Sequence, residues 1–229
     1  MKALAIDCAV SRIAIAAKNE DKEVKLLMDI GIRQSEKLLP AVDYVMKELS
    51  LSPSDLDYSA VTIGPGTFTG LRLGLSTLKA LTLSHNVPVY GIPSLDAYAY
   101  PYRNSTEAVL SLIESKEEEY FCASYVRCEK LGNEKDLEIE EILKELDPQT
   151  DVLACGPGAK KFVQQVKEKT PLYALHCFDP ENDCTESLFA LAEKMIANKD
   201  SPLQDYDGPL YVRKSEAEIV LERKKTENK

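Results

Sequence analysis

Histidine is scarce in this chain. There are two, His85 and His176, in 229 residues, 91 positions apart. A zinc peptidase needs something like His-Glu-x-x-His, with two ligands one helical turn apart. That chemistry is excluded. Cysteine occurs six times, at Cys8, Cys122, Cys128, Cys155, Cys177 and Cys184, but never as Cys-x-x-Cys. His176, Cys177 and Cys184 come nearest to a zinc set, yet their spacing is loose and no fourth ligand is evident. The even number does not argue for disulfides in a chain this long without a secretion signal. Cys8, Cys122 and Cys155 lie in apolar runs and are expected to pack as small hydrophobes. No Gly-x-Ser-x-Gly elbow surrounds Ser11, Ser35 or Ser94, so caps and turns account for all three.

Positive charge is also short. The formal net charge is -10, and no basic patch is interleaved with aromatic residues along the sequence. Affinity for nucleic acid depends on neutralising phosphates with Lys and Arg, so free binding to RNA is disfavoured. The one basic tail, Arg223-Lys224-Lys225, is short and interrupted by acids. No stretch approaches the roughly 18 apolar residues of a membrane span. The start, Met-Lys-Ala-Leu-Ala-Ile-Asp, meets an acid at once and has no signal-peptide h-region. The expectation is a cytoplasmic protein.

What the chain does have is a glycine-rich junction, Thr62-Ile63-Gly64-Pro65-Gly66-Thr67-Phe68-Thr69-Gly70-Leu71-Arg72. It is not a P-loop, because the spacing is wrong and no Lys-Ser/Thr closes it. Two readings stay open: backbone N–H groups presented to an anion, or a tight turn allowing close approach. Strands are expected at 2–7, 12–17, 24–32, 60–63 and 87–92, then at 108–113, 120–127 and 152–155. Helices are expected from Ser35 to about 49, from Thr67 or Thr69 to about 84, over 95–100, after Gly158 to about 169, and over 185–197. Pro40 fits the first of these helices only within its first turn. Residues 137–146 read either as a helix or as a strand-helix pair. Ile63-Gly64-Pro65-Gly66 and Cys155-Gly156-Pro157-Gly158 form a weak internal echo, each after a strand and before a helix.

The glycine junction, together with Leu4-Ala5-Ile6-Asp7, Ser35-Glu36-Lys37-Leu38-Leu39-Pro40, Pro93-Ser94-Leu95-Asp96-Ala97 and Gly208-Pro209-Leu210-Tyr211-Val212-Arg213, resembles the bacterial TsaB (YeaZ) family of the tRNA threonylcarbamoyladenosine pathway. The resemblance is strongest from Met1 to about Tyr125. It implies an α/β chain of actin-like/Hsp70-like ATPase superfamily architecture, with two lobes of related mixed sheets flanked by helices. Residues 1–101 would form the N-terminal lobe, and 102–229 a smaller C-terminal lobe with an extended tail. It implies a non-catalytic partner subunit, not an enzyme, required when TsaD transfers the threonylcarbamoyl group from threonylcarbamoyl-AMP to the adenosine adjacent to the tRNA anticodon. The implied partners are TsaD, the ATPase TsaE and, without TsaD, a second copy of the chain. tRNA would be met only through the complex.

No metal and no cofactor is required of such a subunit, although ATP or ADP at a partner interface is compatible with it. Asp7, Gly156 and Gly158 stand where the superfamily places its nucleotide. Asp7 reads equally as a strand-end acid capping its own turn. The residues after it, Cys8-Ala9-Val10-Ser11, lack the glycine of a phosphate-binding hairpin. Relatives often carry histidine just before their Ser-Glu pair, where this chain has Arg33-Gln34. Gly70, Gly74 and Thr77 form a small-residue face on the second helix and, with Arg72, are the candidates for a partner or dimer interface. The competing reading is that Gly74 lets this helix cross elements of its own lobe. An actin-like ATPase or kinase using Asp7 and the Gly156 loop is the alternative function. A metallopeptidase, suggested by the family's older classification, conflicts with the histidine count.

Overall fold

A computed structural model describes residues 1–104, 107–127, 129–170, 172–177 and 183–212. Cys128, Arg213 and the basic tail at 223–225 lie outside the described residues, as does the rest of the expected tail beyond 212.

The first half of the chain builds β1 (Lys2–Asp7), β2 (Arg12–Asn19), β3 (Lys22–Asp29), α1 (Gln34–Glu48), β4 (Tyr58–Gly64), α2 (Phe68–Leu83), β5 (Val89–Pro93) and α3 (Ser94–Ala99). The sheet order is β3-β2-β1-β4-β5, antiparallel through β1–β3 and parallel from β1 to β5. β1 is buried on both faces, and the two faces differ in side-chain size. Leu4 and Ile6 enter a core with Leu38, Val42 and Val45 of α1 and Leu75 and Leu78 of α2. Ala3 and Ala5, with Ala16 and Ala60, make a flat face on the other side. Period-two alternation puts each set on one face, and the alanines let a helix lie close.

α1 differs from expectation in one respect. It begins at Gln34, so Pro40 sits inside the helix and not in its first turn. Ser35 is not the cap; Arg33 holds that position without a side-chain bond. The start is fixed instead by Gln34, which is buried and donates its amide to the Val10 carbonyl at 2.6 Å.

The second half builds β6 (Ala108–Lys116), β7 (Glu119–Val126), β8 (Glu129–Lys130), β9 (Lys135–Glu138), α4 (Ile139–Glu145), β10 (Val152–Cys155), α5 (Ala159–Lys169), β11 (Leu175–Cys177) and α6 (Thr185–Asn198). Residues 137–146 are therefore a strand-helix pair. The break falls where Glu138 and Glu141 form a reciprocal capping box. The sheet order is β11-β10-β6-β7-β8, with β9 also on β7. β7 is antiparallel to β6, while β10 and β11 run parallel to it. This repeats the first sheet, with β6, β7, β10 and β11 standing for β1, β2, β4 and β5. Gly156-Pro157-Gly158 follows β10, and Gly64-Pro65-Gly66 begins on the last residue of β4, so the sequence echo marks a structural repeat.

One sheet takes its strands from residues 2–93 and the other from 108–177. The chain then returns. Leu188, Phe189 and Ala192 of α6 pack on the alanine face of the first sheet. Beyond α6, Leu203 N–H donates to Val89 O at 2.8 Å and Leu210 N–H to Ile63 O at 2.6 Å, so this segment also lies on the first lobe. No helix among the described residues is long and apolar enough to cross a membrane.

Candidate functional site

Asp7 ends β1 and is 3% exposed. Its Oδ1 accepts from the Ala9 N–H and the Thr62 hydroxyl, both at 2.9 Å, and its Oδ2 accepts from the Tyr98 hydroxyl at 2.6 Å. The buried Cys184 thiol, at the head of α6, lies beside this carboxylate. The bond to Ala9 is the own-turn cap expected of a strand-end acid. The other two join β1 to β4 and α3, and Cys184 brings α6 alongside. Burial first, and Asp7 second, push both the Tyr98 hydroxyl and the Cys184 thiol well above their usual ranges. The same two causes raise Cys8. These groups are held protonated, so neither thiol offers a thiolate nucleophile. Thr62, Tyr98 and Cys184 were not legible as partners of Asp7, because the fold gathers them from 55, 91 and 177 positions away.

Between the lobes lies a cleft of about 550 Å³. Ser11 and Arg12 of the first lobe face Glu114–Glu117, Gly156 and Lys160 of the second across it. Of the nucleotide candidates, Gly156 lines this cleft, whereas Asp7 and Gly158 do not. Gly156 has φ +86°, and a Cβ there would meet the Leu112 carbonyl oxygen at 2.7 Å. Gly158 donates its N–H to the same carbonyl at 2.9 Å. Both glycines thus serve a close turn against β6. His176 is exposed and pairs with Asp151 at 3.0 Å. No group of three metal-ligating residues occurs among the described residues.

The small-residue face of α2 is turned inward. A Cβ on Gly70 would overlap the Cys8 carbonyl oxygen, and one on Gly74 would touch Cys8 Cβ at 3.4 Å and Ile6 Cγ2 at 3.5 Å. Thr77 is 8% exposed. Gly70 and Gly74 therefore let α2 lie against the end of β1 in its own lobe. The four-residue spacing showed that these residues share a face but not which way that face points.

Arg72 lies on the outer face of α2. A cation one turn inside a helix N-terminus is disfavoured by the helix dipole. Here two rings accommodate it. Arg72 Cζ stands 3.8 Å from the Phe68 ring centroid and 5.8 Å from that of Tyr211, and its Nε donates to the Tyr211 hydroxyl at 2.8 Å. Phe68 and Tyr211 stack at 5.5 Å. The segment carrying Tyr211 runs antiparallel along α2, and Lys79 holds the carbonyls of Gln204, Asp205 and Asp207.

Two related lobes facing across a cleft, with an acid at the end of the first strand, define an actin-like α/β protein. A sequence model of the tRNA N6-adenosine threonylcarbamoyltransferase (TsaD) family matches residues 32–178, more than half of the chain. An uncharacterized Mycobacterium tuberculosis protein is 30% identical over 184 residues, covering 80% of this chain and 76% of its own length. The Escherichia coli tRNA threonylcarbamoyladenosine biosynthesis protein TsaB is 31% identical over 147 residues, 63% of each chain. YeaZ from Pseudomonas aeruginosa superposes with a TM-score of 0.75 at 23% identity, over 92% of this chain and 99% of its own. The chain belongs to the TsaB (YeaZ) family, related in sequence to the TsaD transferases.

Proposed function

We propose that this chain is the non-catalytic partner subunit with which a TsaD-type transferase forms threonylcarbamoyladenosine in tRNA. In this reading TsaD moves the threonylcarbamoyl group from threonylcarbamoyl-AMP to the adenosine beside the anticodon. The present chain binds TsaD, and tRNA is met through the complex. The observation that carries the reading is where the exposed apolar side chains lie. Of the eleven large hydrophobics exposed among the described residues, seven are Leu39, Tyr44, Phe68, Leu83, Tyr206, Leu210 and Tyr211. They belong to α1, α2 and the segment laid along α2. An apolar concentration of this kind marks a protein interface, and the Phe68-Arg72-Tyr211 cluster has the composition of an interface hot spot. The same surface serves a second copy of the chain when TsaD is absent. The ATPase TsaE joins the complex, and ATP or ADP at a partner interface uses the inter-lobe cleft, with Arg12 and Lys160 beside Gly156.

The test is reconstitution with the cognate transferase. Ser76→Glu combined with Leu83→Glu alters two exposed positions of α2. The double variant is expected to keep its melting temperature within about 2 °C, since surface substitutions cost little. Its affinity for the transferase is expected to fall at least about tenfold, or about 1.4 kcal/mol, and threonylcarbamoyladenosine formation to fall with it. Unchanged affinity and unchanged modification would refute the placement of the interface on α2.

A further inference from the structure

A second groove, of about 480 Å³, opens between α3, α6 and the β7–β8 edge. It shares no lining residue with the inter-lobe cleft. Three of its nine lining residues, Arg103, Lys130 and Lys194, are basic and one, Asp96, is acidic, in a chain whose net charge is -10. The cations come from three separated segments, beside Tyr100 and Tyr125, so this basic and aromatic concentration is absent from the linear sequence.

The side chains are held in place. Asp96 accepts from the Tyr125 hydroxyl and pairs with Lys130 at 2.7 Å; Lys130 pairs with Glu134 as well. Burial alone would lower Lys130, but the bonds to Asp96 and Glu134 reverse this and keep it protonated. Lys130 is thus spent on two acids, and the cations left to face a ligand are Arg103 and Lys194. The Arg103 guanidinium lies 3.7 Å from the Tyr100 ring centroid and donates to the Tyr100 carbonyl at 2.5 Å. A guanidinium stacked this way is a flat platform of the kind on which a base stacks. Lys194 is exposed on α6 beside Leu191, which with Val109 and Ala99 supplies apolar lining. The volume falls within the roughly 300–1,000 Å³ range of small-ligand pockets.

We propose that this groove binds a nucleotide, with its base against the Tyr100–Arg103 platform and its phosphate toward Lys194. That chemistry has two sources, a free mononucleotide or one residue of an RNA strand. The proposal stands apart from the partner reading, because none of its residues lies on α2.

The experiment uses the full chain and two fluorescently labelled probes, AMP and a short RNA hairpin. Binding is followed by anisotropy at low and at near-physiological salt. The wild type is expected to bind at least one probe more tightly at low salt. Lys194→Glu and Arg103→Gln are each expected to weaken that binding about tenfold at matched melting temperatures. Loss confined to the hairpin assigns the site to RNA; equal loss for AMP, with mutual competition, assigns it to free nucleotide. Absence of binding to both probes, or binding insensitive to both variants, overturns the proposal. The transferase affinity of Lys194→Glu, measured on the same sample, is expected to be unchanged. This separates failure here from failure of the α2 interface.

Discussion

Gly70→Ala is expected to melt about 5–10 °C below the wild type. The new Cβ would overlap the backbone carbonyl of Cys8 and lie 2.6 Å from Thr67 Oγ1. Thr67 can rotate away, but the carbonyl belongs to the chain leaving β1 and moves only with the sheet. Overpacking of this kind costs about 1–3 kcal/mol or more, and each kcal/mol moves the melting temperature of a chain this size by about 2–4 °C. Gly74→Ala is the matched control. Its Cβ meets Cys8 and Ile6 at ordinary contact distances, and alanine is favoured over glycine inside a helix by about 1 kcal/mol. It is expected to be neutral or slightly stabilising. Gly74→Leu has no room for its remaining atoms and is expected to lose roughly 1–3 kcal/mol. A Gly70→Ala protein that melts with the wild type would show that α2 does not approach β1 as described.

Asp7→Asn is expected to destabilise the fold by about 3 kcal/mol. One carboxylate oxygen becomes an amide that cannot accept, while the Tyr98 hydroxyl, the Thr62 hydroxyl and the Ala9 N–H still point at the site. Hydrogen bonds to a charged acceptor contribute about 1.5–3 kcal/mol each, and an orphaned buried donor adds its own penalty. Tyr98→Phe removes one donor and leaves the acceptor with its Ala9 and Thr62 partners, so it is expected to cost less, about 1–2 kcal/mol. The double variant should fall short of the sum, because the two groups share one network. Urea unfolding measures all three. If Asp7 instead served a nucleotide, Asp7→Asn would lose ATP affinity at an unchanged urea midpoint, and that result would displace the structural role.

Much of the fold could be read from the sequence because its strands and helices are marked by patterning and punctuated by glycine and proline. The strand-glycine-helix echo at Gly64 and Gly156 announced the repeated lobe. β11 went unread: three residues, Leu175–Cys177, carry no alternation long enough to register. Pro40 was expected in a first turn because an interior proline loses a bond, but the buried Gln34 contact with Val10 starts the helix earlier. The site was less legible than the fold. Asp7, Gly70, Gly74 and Arg72 stood out as residues, yet the sequence could not say that the glycines face β1 or that Asp7 is surrounded by donors. Those facts depend on contacts between segments far apart along the chain. Tyr211 carried a signal, since it falls inside the Gly208–Arg213 motif, but its pairing with Phe68 and Arg72 spans 139 positions or more and needed the fold.

The return of α6 to the first sheet bears on the order of assembly. Strands β1, β2 and β4 are made early, but the alanine face they share is covered only in part, by Leu95, Ala97 and Tyr98 of α3, until Leu188, Phe189 and Ala192 have been synthesised. The second sheet, whose strands span 108–177, lies wholly between them and can close from its own segment. On a ribosome, the lobe that begins first therefore finishes last. Its Ala3, Ala5 and Ala60 strands wait half-covered for contacts separated by well over a hundred residues, which is where slow folding concentrates. The surroundings of Asp7 are completed at the same late step, because Cys184 arrives with α6.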